Sequence, residues 1–376
     1  MEYSSAEILR GVQEKHLLDD GVSVEDVANR THNYFNQRGE LQIPVLDEKR
    51  AAEEGRPEYP NGKEFAVCLT HDVDHICPQA LKPQIRQLRT TVSNLVDNEA
   101  RSSLVKSCLR QLYAFSRAAM SSGESASETV SGIDAIRDVE RKYNAPSTFF
   151  VPPEHSLVES RLDPHISYST CIEYDGETRP FTEVMKELLK EGVEIGLHPS
   201  LGTYRDSSAL RTQRERLETV IGSSIESVRH HRLQYDIQST PSVQAQAGFK
   251  YDSSLGIKGD NGFRFGTSYP WKLYDWTDTD TSDVLEIPLV LDEGFLKPGR
   301  GGISDATYMS YVDHFIREVK AVSGTLTLLW HPSFFDDGGR VALYESVLER
   351  LAEAGAWFTT IGQLGAWWNE NVQSPS

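Results

Sequence analysis

Three short apolar runs, far apart in the chain, each end in a carboxylate or an imidazole. Phe65-Ala66-Val67-Cys68-Leu69 leads into Thr70-His71-Asp72-Val73-Asp74-His75. Glu194-Ile195-Gly196-Leu197 leads into His198-Pro199-Ser200, and Thr327-Leu328-Leu329-Trp330 into His331-Pro332. Such runs read as strands buried on both faces, the kind found in parallel sheets. Parallel strands present their C-terminal ends together, and ligands bind there in open α/β sheets and β/α barrels alike. A lone His at a strand end is more often a hydrogen-bonded structural residue. Three such ends on one parallel sheet would instead converge on one cavity.

The remaining sequence keeps that alternation. Helical periodicity over 131–143, 180–191, 206–221 and 240–247 precedes short strands at 147–151, 193–197, 226–230 and 249–251. A helix capped by Asp305 and running to Val322 precedes strand 325–330; helix 341–354 and strand 356–360 close the barrel. Helices interleaved with short strands indicate parallel β/α units with right-handed crossovers. Residues 1–62 are polar and hold too few apolar side chains for a core, so they read as an arm packed on the barrel of 63–376. Within the arm, 24–30 reads as a short helix and 53–62 as a loop. Residues 79–122 carry Leu81, Ile85, Leu88, Val92 and Leu95, then Leu104, Cys108, Leu112 and Phe115, at helical spacing. This helix pair is an insertion directly after the first strand; core packing is the expected role of its apolar stripe, and its position would let it roof the strand's end.

Composition narrows the setting. A formal charge of −18 opposes binding to nucleic acid. No apolar run reaches membrane-spanning length, and Met1-Glu2-Tyr3-Ser4-Ser5-Ala6-Glu7 lacks a basic then apolar leader, so a cytoplasmic location is expected. The four cysteines show no metal-binding or redox spacing, and free thiols are expected. Lys accounts for 13 of the 38 basic residues, a Lys-poor, acid-rich balance that fits a salt-adapted source. Nothing in the sequence specifies an oligomeric state.

Asp72 and Asp74 lie two apart and point the same way on an extended backbone. Such a pair can divide the labour, one carboxylate holding a metal and the other acting as a base. The alternative is a solvated turn with an Asp cap. In Leu69–Asp74, Ser147-Thr148-Phe149-Phe150-Val151, Glu194–His198, Val228-Arg229-His230-His231-Arg232-Leu233, Tyr251-Asp252-Ser253-Ser254-Leu255-Gly256 and Leu328–His331, the chain resembles the polysaccharide deacetylase superfamily (carbohydrate esterase family four, NodB-like). The order of these segments is the family's order, and they span about residues 64 to 370. The His-Asp-Val-Asp spelling resembles a divergent branch.

The resemblance implies an α/β fold, a distorted (β/α)7-type barrel, and a metal-dependent amidohydrolase. It makes Asp72 the general base, Arg229 the residue that orients it, His331 the general acid, and Asp74 and His198 metal ligands. The ion would be divalent, zinc first, with cobalt, nickel or iron as alternatives. One departure matters: the family supplies a second metal His four residues after the first, and here that position is Gly202. Catalytic zinc generally takes three protein ligands. His231, in the arginine motif, is the expected replacement; His71, His75 and His230 compete, with His155 a more remote candidate.

Segment 262–276 combines aromatic, glycine and small polar residues. Sugars bind on aromatic faces beside fixed donors, so Tyr269, Trp271 and Trp330 are expected to touch substrate, with Arg264 holding a phosphate or carboxylate. The alternative is a loop packing its aromatics inward. Glu286 is a further candidate to contact Arg229 or substrate. Pro-Gly-Arg-Gly-Gly at 298–302 lacks the Lys-Ser/Thr ending of a phosphate-binding loop. The expected reaction is removal of an acetyl or formyl group from an amino sugar, a cytoplasmic glycan precursor. Hydrolysis of a small non-sugar C–N compound and an inactive carbohydrate-binding protein are the alternatives.

Overall fold

Strand β1, Phe65–Asp72, is buried at all eight positions, as a run with no solvated face requires. It lies near the middle of the sheet in a computed structural model that describes residues 42–74, 76, 132–154, 163–164, 166–276, 280–296, 303–335 and 339–372. The helix expected at 24–30, the insertion at 79–122 and the loop at 298–302 lie outside the described residues, as do His75 and His155.

Twelve strands are described. They are β1, β2 Thr148–Val151, β3 Cys171–Tyr174, β4 Glu177–Pro180, β5 Glu194–Leu197 and β6 Ser227–Val228, then β7 Tyr251–Asp252, β8 Trp271–Asp275, β9 Asp280–Glu286, β10 Leu289–Asp292, β11 Thr325–Leu329 and β12 Ala356–Thr359. Ten form one curled sheet in the order β10-β11-β1-β2-β5-β6-β7-β9-β8, with β12 also paired to β1. Every pairing in it is parallel except β8 with β9. The expected α/β barrel is thus present in its distorted form. β12 does not join the two edges: it lies beside Phe65–Cys68, on the side of β1 whose further half, Thr70–Asp72, pairs with β2.

Register decides what meets at the mouth. Thr70 pairs with Leu329, Asp72 with Phe150, Val151 with Leu197, and Leu197 with Val228. Asp72, His198, Arg229 and His331 therefore emerge within a residue or two of the same level.

Eight helices are described: α1 Val45–Glu54, α2 Gly132–Lys142, α3 Phe181–Lys190, α4 Ser207–Ile221, α5 Thr240–Ala247, α6 Asp305–Val322, α7 Gly339–Glu353 and α8 Ile361–Asn371. Phe65, Val67 and Leu69 join one core with Ile136 and Val139 of α2, Val184 and Leu188 of α3, and Val312 and Phe315 of α6. Ala66 and Cys68, alternate residues that point to the opposite face, join a second core with Ile361, Leu364 and Trp368. The helix α8, absent from the sequence-based reading, thus covers the sheet's inner face. It starts at a capping box, Thr360 accepting from the Gln363 amide and Gln363 reaching back. The cap of α6 is Ser304, which accepts the Thr307 amide, rather than Asp305. Two hairpins also escaped the reading, β3–β4 and β8–β9, β8 lying inside the 262–276 stretch whose alternative reading was a loop. Cys68 is a buried free thiol and Cys171 an exposed one.

One buried polar cluster fastens β1 to its neighbours. His71, an expected competitor for the metal, is fully buried with Nδ1 on the Trp330 carbonyl (2.7 Å) and Nε2 on Glu140 Oε1 (2.9 Å). Glu140 also accepts from Arg137 (2.6 Å), Ser147 (2.8 Å) and Tyr344 (2.9 Å). Removing one partner of a buried ion pair strands the others, so Glu140→Ala is expected to cost about 3–5 kcal/mol. Urea unfolding monitored by circular dichroism measures this, and a loss near zero would show that Glu140 holds nothing.

Candidate active site

The site is built from residues at the ends of β1, β5, β6 and β11 and the segments that follow them. After Asp72 the chain turns at once, the Asp74 amide donating to the Asp72 carbonyl (3.0 Å). Both carboxylates nonetheless reach the same imidazole: His198 Nε2 lies 3.8 Å from Asp72 Oδ2 and 3.5 Å from Asp74 Oδ1. His198 is held from behind, its Nδ1 2.7 Å from the Arg229 carbonyl. A carbonyl only accepts, so Nδ1 carries a hydrogen and Nε2 is the ring nitrogen turned toward the carboxylates.

Arg229 is fully buried and fully engaged. Its Nε donates to the Ser253 carbonyl (2.8 Å), one terminal nitrogen to Ser253 Oγ (2.8 Å), and the other to Thr70 Oγ1 (2.7 Å) and Asp72 Oδ1 (3.2 Å). The guanidinium lies over the Phe150 ring at 4.5 Å. Glu286, expected as a possible partner of Arg229, is buried and accepts the Leu255 amide (3.0 Å). Burial and the neighbouring Asp252 carboxyl push its pKa well up.

His231 completes a trio. Its Nε2 lies 3.7 Å from Asp74 Oδ1, and its Nδ1 is hydrogen-bonded to Asp163 Oδ1 at 3.4 Å. Asp74, His198 and His231 offer ligand atoms that all lie within 4.8 Å of one another. Asp74 Oδ1 is buried with no hydrogen-bond partner, as a carboxylate oxygen reserved for a cation would be. Two imidazoles with their Nδ1 atoms already engaged and one carboxylate are a donor set suited to zinc or a similar divalent ion. Burial disfavours the ionised Asp74 carboxylate, yet the neighbouring imidazoles of His198, His331 and His231 outweigh it and hold the group well below the usual carboxylate range.

His331 approaches the other oxygen of Asp74, its Nε2 3.7 Å from Oδ2. Its Nδ1 is 2.7 Å from Glu293 Oε1, and Glu293 is fully buried. Burial opposes charging the imidazole, but Glu293, Asp74 and Asp72 overcome it and push the pKa up to about 10. Asp292, Glu293 and His331 form a second group of ligand-capable side chains. Sequence reasoning missed Glu293 and Asp163. Glu293 follows the apolar run Leu289-Val290-Leu291, so the rule that singled out Asp72 would have found it; nothing in the sequence around Asp163 marks it out.

His230 does not join the trio. It is buried with Nε2 unpartnered, and burial followed by the His198 charge lowers its pKa to about 3. The expected aromatic contacts are corrected by the structure. Tyr269 is 2 % exposed and packs on Trp368 and Arg50, Trp271 is 4 % exposed against Phe265, and Trp330 is fully buried among Tyr308, Phe335 and Tyr344. These rings fill core, which leaves no face for a sugar. Arg264 is half-buried, donating to the Gly256 carbonyl (3.1 Å) and lying over Phe265.

The backbone explains the displaced ligand. Gly202 has φ of +89°, the left-handed region that a His tolerates poorly, and a Cβ there would meet nothing within 4 Å. Helix α4 starts only at Ser207, so residues 198 and 202 share no helical face. Gly202→His is therefore expected to lose about 1–2 kcal/mol of stability with no gain in metal affinity. Urea unfolding and calorimetric zinc titration test this; tighter binding would contradict it.

No family model matches the sequence, and none of the curated proteins does. Solved structures do. A Mycobacterium smegmatis protein assigned as a polysaccharide deacetylase superposes with a TM-score of 0.52 at 20 % identity, covering 85 % of this chain and 96 % of its own. The PuuE allantoinase gives 0.52 at 12 % identity, covering 84 % and 94 %. A Pseudomonas aeruginosa protein assigned as a polysaccharide deacetylase gives 0.50 at 13 %, covering 84 % and 95 %. The chain thus has the NodB-like β/α fold of the deacetylases, over almost the whole length of these neighbours.

Proposed function

We propose that this protein is a metal-dependent hydrolase that removes an acetyl or formyl group from the nitrogen of an amino sugar, on a cytoplasmic glycan precursor. One observation carries the reading: the buried, unpartnered Oδ1 of Asp74 faces His198 and His231, while Asp72 and His331 stand within 4 Å of the same trio. Asp74, His198 and His231 hold the ion, zinc being the best match and cobalt, nickel or iron also compatible with the donors. A divalent ion bound there supplies Lewis acidity toward the acyl oxygen and toward a water.

The chain's own groups move the protons. Arg229 and Thr70 fix one side of the Asp72 environment, the guanidinium occupying Oδ1, so that Oδ2 is the oxygen left to accept a proton from the attacking water. As the C–N bond breaks, the amine must be protonated to leave. His331 carries a proton on Nε2 as well as on Nδ1, because Glu293, accepting from Nδ1, keeps the imidazole charged at neutral pH. Water's oxygen ends on the acyl carbon with one of its hydrogens, and Asp72 takes the other. The amine leaves with the proton His331 gives up, and passage of the Asp72 proton to His331 through solvent restores the starting state.

The displacement of Tyr269, Trp271 and Trp330 into the core favours a second reading, in which the substrate is a small non-sugar C–N compound. The likeness to an allantoinase points the same way. Asp74→Ala is expected to lose the ion by elemental analysis. Asp72→Asn and His331→Gln should keep it and lower kcat about 10²–10⁴-fold. Turnover of N-acetyl and N-formyl amino sugars against small amides separates the two substrates; wild-type kcat in Asp72→Asn would end the assignment of the base.

A further inference from the structure

The trio differs from a helix-borne pair of histidines in one respect: its third member rides on an irregular segment. His231 opens a short 3-10 turn in which Arg232 and Leu233 both have left-handed backbones (φ +60° and +53°). Such a turn does not lock a side chain, because residues 231–233 have no helical neighbours one turn away to pack against. Something else must aim the imidazole.

The structure assigns that task to Asp163. Its carboxylate is buried, and Oδ1 accepts both from His231 Nδ1 (3.4 Å) and from the Leu201 amide (2.8 Å). Leu201 immediately precedes Gly202, the position from which the family's second His is missing. The Gly202 amide in turn donates to Gln234 Oε1 (3.1 Å), three residues beyond His231. One carboxylate oxygen therefore ties the segment that lost a ligand to the residue that replaces it. A carboxylate accepts and cannot donate, so it places the hydrogen on Nδ1 and turns Nε2, with its lone pair, toward Asp74. Asp163 is thus a positioning residue for the cation. It fixes the tautomer and the direction of His231, as the Arg229 carbonyl does for His198. This inference rests on the metal-dependent reading above and adds a fourth protein group to it.

The test is metal affinity of the full chain, read by zinc titration calorimetry and by the visible absorption of the cobalt-loaded protein, independently of turnover. Asp163→Asn is expected to weaken zinc binding about 10–100-fold, because an amide can present N–H to Nδ1 and reverse the tautomer. Asp163→Glu should recover part of that loss. The melting temperature of the metal-free protein reports any damage to folding separately. Because Asp163 acts through His231, Asp163→Asn combined with His231→Ala should bind no more weakly than His231→Ala alone. Wild-type affinity in Asp163→Asn, or losses that add in the double variant, would overturn the inference while leaving the metal reading intact. Wild-type affinity in both His231→Ala and Asp74→Ala would overturn the metal reading, and this inference with it.

Discussion

A buried guanidinium organises the mouth of this sheet. Arg229 follows the two-residue strand β6, and its side chain reaches Thr70 and Asp72 on β1, lies over Phe150 on β2 and donates twice to Ser253 beyond β7. Its own carbonyl sets the tautomer of His198 at the end of β5. A charge with no exposure is tolerable only when its donors are met. Meeting them brings the ends of β1 and β7 to β6, while Phe150 of β2 and His198 after β5 take their places against the same residue. The distances among Asp72, Asp74, His198 and His231 follow from that arrangement, because each residue lies within two of a contact to Arg229 or on its own segment.

The second constraint is a backbone one. A left-handed glycine at 202 cannot present a side chain toward His198, so in the proposed site the second nitrogen, that of His231, comes from a different strand end. The left-handed pair at Arg232 and Leu233, costing on the order of 1–2 kcal/mol per residue, is the local strain that accompanies the exchange. Strain of this kind persists where surrounding contacts over-determine it. Here Leu233 and Gln234 donate to the His230 and His231 carbonyls, and Asp163 holds the imidazole.

Much of this was legible in the amino-acid order because burial leaves a periodic trace. Strands β1, β5 and β11 are apolar runs since both their faces are covered, and the helices between them show their stripes. Elements without that trace were lost. Strand β8 alternates buried and half-buried residues in a Gly-rich, aromatic context that reads equally as loop, and the first half of β9 is a polar run of Thr, Ser and Asp. Helix α8 is rich in glycine and tryptophan, so its periodicity is blurred. For the site, Asp72, His198, Arg229 and His331 at strand ends were picked out, while Glu293, directly after β10, and Asp163, on an irregular segment, were not. The rings of Tyr269, Trp271 and Trp330 show the converse failure: residue type alone does not say whether an aromatic faces a ligand or the core.

The central claim is that Asp74, His198 and His231 together hold one cation. Anomalous diffraction at the zinc edge from crystals grown with zinc tests it most directly. The account predicts a strong peak bonded to Asp74 Oδ1 and to Nε2 of both histidines. A peak ligated by other residues, or none in this cavity with zinc bound elsewhere, would contradict it.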